Sequence, residues 1–411
     1  MLNKKFFIKI FLIFSIIIFQ SKIIFCFDAT YIWSALVDDA IITSSSLSVE
    51  TNNSLNLESA SAVLIEQNSG TVLYNHNMHE KLRPASVTKI MTILLIMEAL
   101  DSGKINYTDK VPCSENASNM GGSQIWLDVS EELTVDEMLK AICVVSANDC
   151  TVAMAEYLAG SEELFVNQMN EKAKELGMDD TTFKNCHGID ADGHLTSAYD
   201  IALMSRELMK NHPNITKYTT IWMDSLRNGE SELVNTNKLI RNYDGATGLK
   251  TGSTSLALFN LSATATKNDL SLIAVVMKAP TSAIRFSEAK KLLDFGFNTY
   301  EFKELGKKDD IVQTLPVAKG IQTSVDLIYE NDVGCLVKKG ESKNISHNIS
   351  FDENLCAPIF KGQKLGEVTF LLKGNEISKV DIVAKTEVLK ISVWNMISHV
   401  INTWLSLCRI T

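Results

Sequence analysis

The sequence predicts an α/β domain, followed by a small β-rich domain and a C-terminal amphipathic helix. Three patterns along the 411 residues lead to this prediction. Strand-type apolar runs near 60–74 and 248–278 enclose a long region with helical periodicity. Short β-type runs fill the chain after residue 296. The last segment places its apolar side chains on one face of a helix.

Composition narrows the class of protein. A chain of 411 residues with 45% hydrophobic residues can form two or three domains. It carries 39 basic and 49 acidic residues, a net charge of −10, and no basic tract interleaved with aromatics, so nucleic acid is not an expected partner. The eight cysteines show no CxxC pair and no zinc-ligand spacing with histidine. We therefore expect isolated buried thiols, no metal and no cofactor.

The N-terminus has the pattern of an exported protein. Lys4 and Lys5 precede an apolar run at 6–19, which is typical of a secretory signal, and we predict a signal peptide at 1–27. An uncleaved N-terminal anchor is the alternative. Residues 28–58 are rich in Ser, Thr and Asn and are interpreted as a linker.

The first domain is predicted at 59–298 and begins with a hairpin. Apolar runs at 62–65 and 71–74 flank the turn sequence Gln67-Asn68-Ser69-Gly70. Strands are expected within 248–278. Helices are predicted at about 86–100, 134–145, 149–159, 162–176, 198–211 and 282–295.

The second domain is predicted at 299–386, with β-type runs at 324–329, 367–372 and 377–383. Residues 387–411 then form the amphipathic helix. Its apolar face comprises Val393, Trp394, Ile397, Val400, Ile401, Trp404, Leu405 and Cys408. A stripe with two Trp and a polar opposite face favours a helix that lies in the membrane interface. The alternative is a terminal helix docked on the protein's own core.

The helix that begins near Ser86 contains the first candidate for chemistry. It is apolar nearly all round, so it must be buried, and Lys89 within it is anomalous. Ser86 lies three residues earlier on the same face, which makes it a nucleophile with a candidate base. Alternatively, Ser86 only caps the helix and Lys89 extends to solvent. Ser287 and Lys290 have the same spacing on an ordinary amphipathic helix.

Two further motifs follow in order. Ser146-Ala147-Asn148 lies between a helix opened by a capping box at Thr134 and a helix that Asp149 is expected to cap. Lys250-Thr251-Gly252 begins a strand in which glycine lets a ligand approach the backbone. Taken alone, each of these two motifs has a structural explanation. The first would be an interhelical cap, and the second would be a plain strand start with an exposed lysine. The ordered set of three is the signature of penicillin-binding proteins and class A β-lactamases.

With these motifs the chain resembles the serine D-alanyl-D-alanine carboxypeptidases, the low-molecular-mass penicillin-binding proteins of the type-5 kind. The resemblance covers about residue 58 to the C-terminus and includes further landmarks in family order. These are Arg83-Pro84-Ala85, Gly121-Gly122-Ser123, Asn185-Cys186-His187-Gly188, Ser197-Ala198-Tyr199-Asp200 and Arg285-Phe286. It implies a penicillin-recognising domain of the serine transpeptidase/β-lactamase-like fold, an antiparallel sheet flanked by helices, then a small β domain and an amphipathic anchor.

The resemblance also implies roles for individual residues. Ser86 would attack the carbonyl between the two terminal D-alanines of a peptidoglycan stem peptide, with Lys89 as base. Ser146 would relay a proton together with Lys89 and Lys250, and Asn148 would hold the substrate backbone.

Further roles concern the oxyanion and the substrate carboxylate. The backbone N–H groups of Ser86 and of Ser253, which follows Gly252, would form the oxyanion hole, and Thr251 and Arg285 would bind the terminal carboxylate. Position 253 is Ser where some relatives have His. The implied partners are stem peptides ending in D-Ala-D-Ala, β-lactam antibiotics and, through the C-terminal helix, the outer face of the cytoplasmic membrane.

Three alternatives are weighed against this function. A class A β-lactamase needs a deacylating Glu, for which Glu163 and Asn167 have the right spacing but lie in a predicted helix. A non-hydrolytic scaffold at the membrane surface would be expected to have lost part of the set. A Ser-His-Asp triad using His187 or His194 is disfavoured, because the lysines already supply the base.

Overall fold

The computed structural model describes residues 55–352, 354–392 and Ile397. The predicted signal peptide, most of the linker and, apart from Ile397, residues 393–411 of the predicted terminal helix lie outside the described residues. Those predictions are therefore not addressed by the fold.

A five-stranded antiparallel sheet forms the centre of the first domain. In chain order its strands, with the short strands inserted between them, are β1 (Ser61–Glu66), β2 (Val72–His76), β3 (Lys110–Pro112), β4 (Glu132–Thr134), β5 (Met223–Leu226), β6 (Ser231–Val234), β7 (Ala246–Thr254), β8 (Leu258–Lys267) and β9 (Leu270–Ala279). The sheet order is β2-β1-β9-β8-β7, while β3–β4 and β5–β6 form separate two-stranded sheets. Strand β7, which carries the Lys250 motif, is thus an edge strand.

Helices cover both faces of this sheet. They are α1 (Lys89–Asp101), α2 (Glu115–Ser118), α3 (Val135–Val144), α4 (Asn148–Ala159), α5 (Glu162–Glu175), α6 (Ala198–Asn211), α7 (Thr216–Thr219), α8 (Leu239–Asn242) and α9 (Ser282–Thr299). Helix α1 is buried nearly all round in the larger hydrophobic core, together with α3 to α6. Helix α9 packs on the other face of the sheet. The predicted hairpin and the six predicted helices are all present, each within a few residues of its expected limits.

Two local predictions need correction. The helix expected from Ser86 starts as a 3₁₀ turn at Ala85–Thr88, and the α-helix begins only at Lys89. Asp149 does not cap α4, which begins after Ala147 without a side-chain cap. The buried carboxylate of Asp149 instead accepts from the backbone N–H groups of Ile125 and Leu127, which pairs these donors of the loop.

The β-rich domain begins directly after α9. Its strands are β10 (Tyr300–Gly306), β11 (Ile311–Pro316), β12 (Ser324–Tyr329), β13 (Val333–Lys338), β14 (Ile345–Phe351), β15 (Lys364–Leu372) and β16 (Asn375–Ala384). Five of them form an antiparallel sheet in the order β11-β12-β16-β15-β14, and β10 pairs with β13. A separate apolar core fills this domain. Within the described part of the chain, no helix combines the length and apolar character needed to cross a membrane.

Candidate active site

The 3₁₀ turn at Ala85–Thr88 presents Ser86 at the surface of an otherwise buried region. The turn is fixed from below by Asn260 on β8, whose amide donates to the carbonyls of Arg83 (2.8 Å) and Pro84 (3.0 Å). Ala85 has a φ of +49°, a strained conformation for a residue with a Cβ. Such strain is tolerated only where the surroundings hold the backbone firmly, as they do here.

Lys89 is fully buried beneath Ser86. Its Nζ lies 3.1 Å from Ser86 Oγ and donates to Asn148 Oδ1 and the His187 carbonyl, both at 2.6 Å. Burial, followed by the nearby positive charge of Lys250, holds the pKa of Lys89 well below its usual value. A neutral amine would use its two N–H groups on these two acceptors. Its lone pair would then face the Ser86 hydroxyl, which is the arrangement of a base and its nucleophile.

A second Ser–Lys pair lies beside the first. Ser146 occupies the break between α3 and α4 with a φ of +66°, and Lys250 Nζ donates to its Oγ at 2.8 Å. The same Nζ donates to the Thr251 carbonyl at 3.0 Å. Lys250 is buried, and this burial lowers its pKa to about 7, with Arg285 contributing in the same direction.

Asn148 connects the helical side of the site to the loop before it. Its Oδ1 accepts from Lys89, its Nδ2 donates to the Gly121 carbonyl at 2.6 Å, and its backbone N–H donates to the Ser123 carbonyl. The side-chain amide is therefore held at both ends. Gly122 is required beside it, because a Cβ there would lie 2.8 Å from Asn148 Nδ2.

The edge strand β7 closes the opposite side of the site. Gly252 packs directly against the 3₁₀ turn that carries Ser86, where a Cβ would lie 2.8–2.9 Å from Val87 N, Pro84 O and Ser86 N. Thr251 Oγ1 donates to Thr236 Oγ1 at 2.7 Å, and Ser253 is exposed beyond it. Glycine at position 252 therefore lets β7 approach Ser86 closely.

Arg285 lies under this strand, on the first turns of α9. Its Nη1 donates to the Gly252 and Asn260 carbonyls at 3.2 and 3.3 Å, and its guanidinium lies over the Phe286 ring. Burial lowers the pKa of this guanidinium to about 10. Its Nε is buried without a hydrogen-bond partner among the described residues.

The two candidate histidines make structural contacts. His194 binds Thr88 Oγ1 through Nε2 at 2.8 Å and accepts from the Lys184 N–H through Nδ1. The His187 ring accepts from the Ile189 N–H, and its carbonyl, rather than its ring, contacts Lys89. Burial lowers the pKa of His187 to about 3 and of His194 to about 4, so both rings are neutral at pH 7.

The second Ser-x-x-Lys pair does not form a site. Ser287 is exposed on α9 and donates to the Ile284 carbonyl. Glu163 and Asn167, the candidate β-lactamase pair, are both exposed on α5. Among the described residues no cluster of three or more His, Cys, Asp or Glu side chains could hold a metal ion.

Some contributors were not identified from the sequence. Asn260 holds the turn that carries Ser86, and Thr236 accepts a hydrogen bond from Thr251. Neither residue belongs to a motif. Asn260 is the one amide in strand β8, which otherwise holds apolar residues, hydroxyl residues and a terminal lysine, and that amide was the available signal. Nothing in the local sequence distinguishes Thr236.

A serine whose hydroxyl meets a buried lysine amine, with a second Ser–Lys pair beside it, defines a serine acyl-transfer enzyme. Comparison with known proteins identifies the family of acyl-transfer enzymes. Residues 48–281 match the profile of peptidase family S11, D-alanyl-D-alanine carboxypeptidase, and residues 300–390 match that of the penicillin-binding protein 5 C-terminal domain. The chain belongs to the D-alanyl-D-alanine carboxypeptidase family.

Individual relatives agree with this assignment. The chain is 46% identical to the D-alanyl-D-alanine carboxypeptidase DacF of Bacillus subtilis over 351 residues, 84% of this chain and 90% of the relative. Penicillin-binding protein 5 of Haemophilus influenzae superposes with a TM-score of 0.71 at 32% identity, covering 81% and 98% of the two chains. Penicillin-binding protein D2 of Listeria monocytogenes in the ampicillin-bound form gives a TM-score of 0.55 at 29% identity, covering 59% and 99%.

These comparisons confirm the predicted family, the α/β catalytic fold followed by a β-rich domain, and serine-type carboxypeptidase activity, whereas the C-terminal amphipathic helix stays a prediction. The class A β-lactamase and the non-hydrolytic scaffold are not favoured by any of them.

Proposed function

We propose that the enzyme removes the terminal D-alanine from peptidoglycan stem peptides ending in D-Ala-D-Ala, through an acyl-enzyme on Ser86. The observation that carries this assignment of the nucleophile is the buried Lys89 amine 3.1 Å from the Ser86 hydroxyl. Membership of the family supports the reaction, and the geometry supports Ser86 and Lys89 as the residues that perform it.

In the acylation step, Lys89 takes the Ser86 proton as Oγ attacks the penultimate D-Ala carbonyl. The oxyanion is bound by the backbone N–H groups of Ser86 and Ser253, on the two segments that Gly252 brings together. Ser146, already hydrogen-bonded to Lys250, gives its proton to the leaving amine and takes in return the proton that Lys89 holds, so Lys89 is again a neutral base. Water then cleaves the ester with the same base, which regenerates Ser86 and releases the shortened peptide.

Substrate binding depends on local cations because the protein as a whole carries a charge of −10. Lys250, Thr251 and Arg285 lie along the strand on which the peptide's terminal carboxylate is placed, and Asn148 holds the substrate backbone from the opposite side. A β-lactam is expected to acylate Ser86 in the same geometry, as supported by the relative solved with ampicillin.

The enzyme is exported and held at the outer face of the cytoplasmic membrane by its C-terminal segment. Val388 is fully buried and its N–H and C=O both pair with Ile359, which supports an attachment helix that starts at about residue 393 and not at residue 387. Deleting 393–411 should release the enzyme from membranes without loss of peptide activity. Membrane retention of that protein would point to an uncleaved N-terminal anchor.

The proposed base is tested by replacing Lys89 and its counterpart in the second Ser-x-x-Lys pair. Lys89→Ala should reduce D-alanine release from a synthetic pentapeptide by about 10²–10⁴-fold, the usual value of a general base. Lys290→Ala, next to the exposed Ser287, should leave the rate unchanged. Equal rates for both variants would refute the role of Lys89.

A further inference from the structure

A small ribbon of three segments closes the end of the β-rich domain. Gly320 and Lys390 form an antiparallel bridge in which the Ile321 N–H donates to the Leu389 carbonyl at 2.8 Å. Ile359 and Val388 form a second bridge with bonds of 3.0 and 2.9 Å. Residues opposite each other in such pairs point to the same face.

The alternation of side chains gives this ribbon one inner and one outer face. Val388 and Ile359 point inward and are 0% and 2% exposed. Residues of the opposite parity therefore point outward. We call these the outer ribbon face, which comprises Ile321, Pro358, Phe360, Leu389 and Ile391.

The outer ribbon face is an exposed apolar surface. Phe360 is 65% exposed, Ile321 52% and Leu389 51%, and Ile321 lies directly opposite Leu389 in the ribbon. Contiguous exposed apolar side chains mark an interaction site more often than isolated ones do.

Lysines surround this surface. Lys319 shares the outer face with Ile321. Lys361 and Lys390 have the parity of the inner face, but they directly follow Phe360 and Leu389 at the rim of the ribbon, and all three lysines are exposed. The acidic residue on the face is Glu387. Apolar side chains flanked by lysines match the interface of an anionic bilayer, where the apolar groups enter the acyl boundary and the ammonium groups meet phosphates.

The ribbon directly precedes the proposed membrane helix in the sequence, which indicates a bilayer as the partner of its outer face. The chain leaves the ribbon at 391–392 and continues into 393–411, whose apolar stripe is proposed above to lie in the membrane interface. Ile397, on that stripe, is 43% exposed, so its side chain is not fully covered by the rest of the chain. We infer that the outer ribbon face is a second membrane-contact surface, which inserts into the interface of an anionic bilayer beside the terminal helix. This inference rests on the proposed membrane attachment.

The test measures vesicle binding of residues 28–411 and three variants. The ribbon variant is Ile321→Ser/Phe360→Ser/Leu389→Ser, and the stripe variant is Ile401→Ser/Trp404→Ser. The matched control, Val129→Ser/Leu164→Ser/Ile311→Ser, removes three apolar side chains that are 53–56% exposed elsewhere. Vesicles contain either phosphatidylglycerol with phosphatidylethanolamine or phosphatidylcholine alone. D-Alanine release and thermal unfolding verify that each variant is folded.

We expect the ribbon variant to bind anionic vesicles at least about tenfold more weakly than wild type, and the control to bind within about twofold. The stripe variant should retain weak binding, and phosphatidylcholine vesicles should bind wild type less tightly. A ribbon variant that binds as wild type, or more tightly because it uncovers the tail, overturns the inference but leaves the attachment by 393–411 intact. A stripe variant that binds as wild type overturns that attachment, and weak binding by the ribbon variant would then identify the outer ribbon face as the membrane contact by itself. No binding by wild type overturns both.

Discussion

Gly252 offers the most direct test of how closely β7 must approach the nucleophile. In a Gly252→Ala variant the new Cβ would lie 2.8–2.9 Å from three backbone atoms of the turn, Val87 N, Pro84 O and Ser86 N. Backbone atoms cannot rotate away as a side chain can. To reach ordinary contact at 3.4 Å, the turn and the strand must separate by about half an ångström.

This separation changes the distance between the two proposed oxyanion donors. Because a misplacement of 1 Å can cost about 10²-fold in rate, we expect kcat/KM for a D-Ala-D-Ala peptide to fall by about 10–100-fold. Overpacking should also lower the free energy of unfolding by about 1–3 kcal/mol. The assays are D-alanine release and β-lactam acylation well below the unfolding temperature, with denaturant unfolding in parallel.

Gly103→Ala is the control for the loss of stability. Gly103 has a φ of +72° and nothing within 4 Å of the added Cβ, so alanine there strains the backbone without touching the site. It should lose about 1 kcal/mol of stability and keep full activity. A Gly252→Ala variant whose kcat/KM lies within about twofold of wild type would contradict this prediction.

Three further predictions concern Lys250, Arg285 and Thr134. Lys250 has a pKa of about 7 in the fold, chiefly because it is desolvated, against about 10.4 when unfolded. The unfolded chain therefore holds more protons between these pH values, and the free energy of unfolding rises with pH in that window. Relative to Lys250→Met, wild type should gain about 1 kcal/mol of unfolding free energy per pH unit between pH 8 and 9. The same pH dependence of denaturant unfolding in both proteins would contradict this. Arg285→Ala should raise KM at least about tenfold for a peptide with a free terminal carboxylate, while the amidated peptide should react equally slowly with both proteins; wild-type indifference to amidation would exclude the carboxylate role. Thr134 and Glu137 form a complete capping box on α3, so Thr134→Ala should cost about 1 kcal/mol in chemical denaturation with kcat unchanged, and an unaltered midpoint would mean that the box is not stabilising.

The helices were predictable because residues close to their ends in the sequence, such as capping residues, determine where they begin. The box at Thr134 starts α3, and Ser197 accepts the Asp200 N–H at the start of α6. The strands β3 to β6 were not predicted, since each has only three or four residues and pairs with a partner distant along the chain or across a turn. Asp149 was misassigned because a helix-start pattern does not reveal that a remote loop needs its carboxylate.

The candidate site was predictable to the level of its motifs. An apolar helix distinguished Lys89 from Lys290, and the structure places the first in a buried network and the second on α9 beside an exposed Ser287. The contacts made by Asn260, Thr236 and the His187 carbonyl depend on tertiary packing, which no spacing along the sequence encodes.

The central claim, that Ser86 is the acylated nucleophile, is tested most directly by intact mass after exposure to a labelled β-lactam. Wild type and Ser287→Ala should each gain the mass of one β-lactam, peptide mapping should place it on Ser86, and Ser86→Ala should gain none. The adduct should persist long enough to be isolated, as expected of a carboxypeptidase and not of a β-lactamase. A full adduct on Ser86→Ala, or a label mapped to Ser287, would contradict the account.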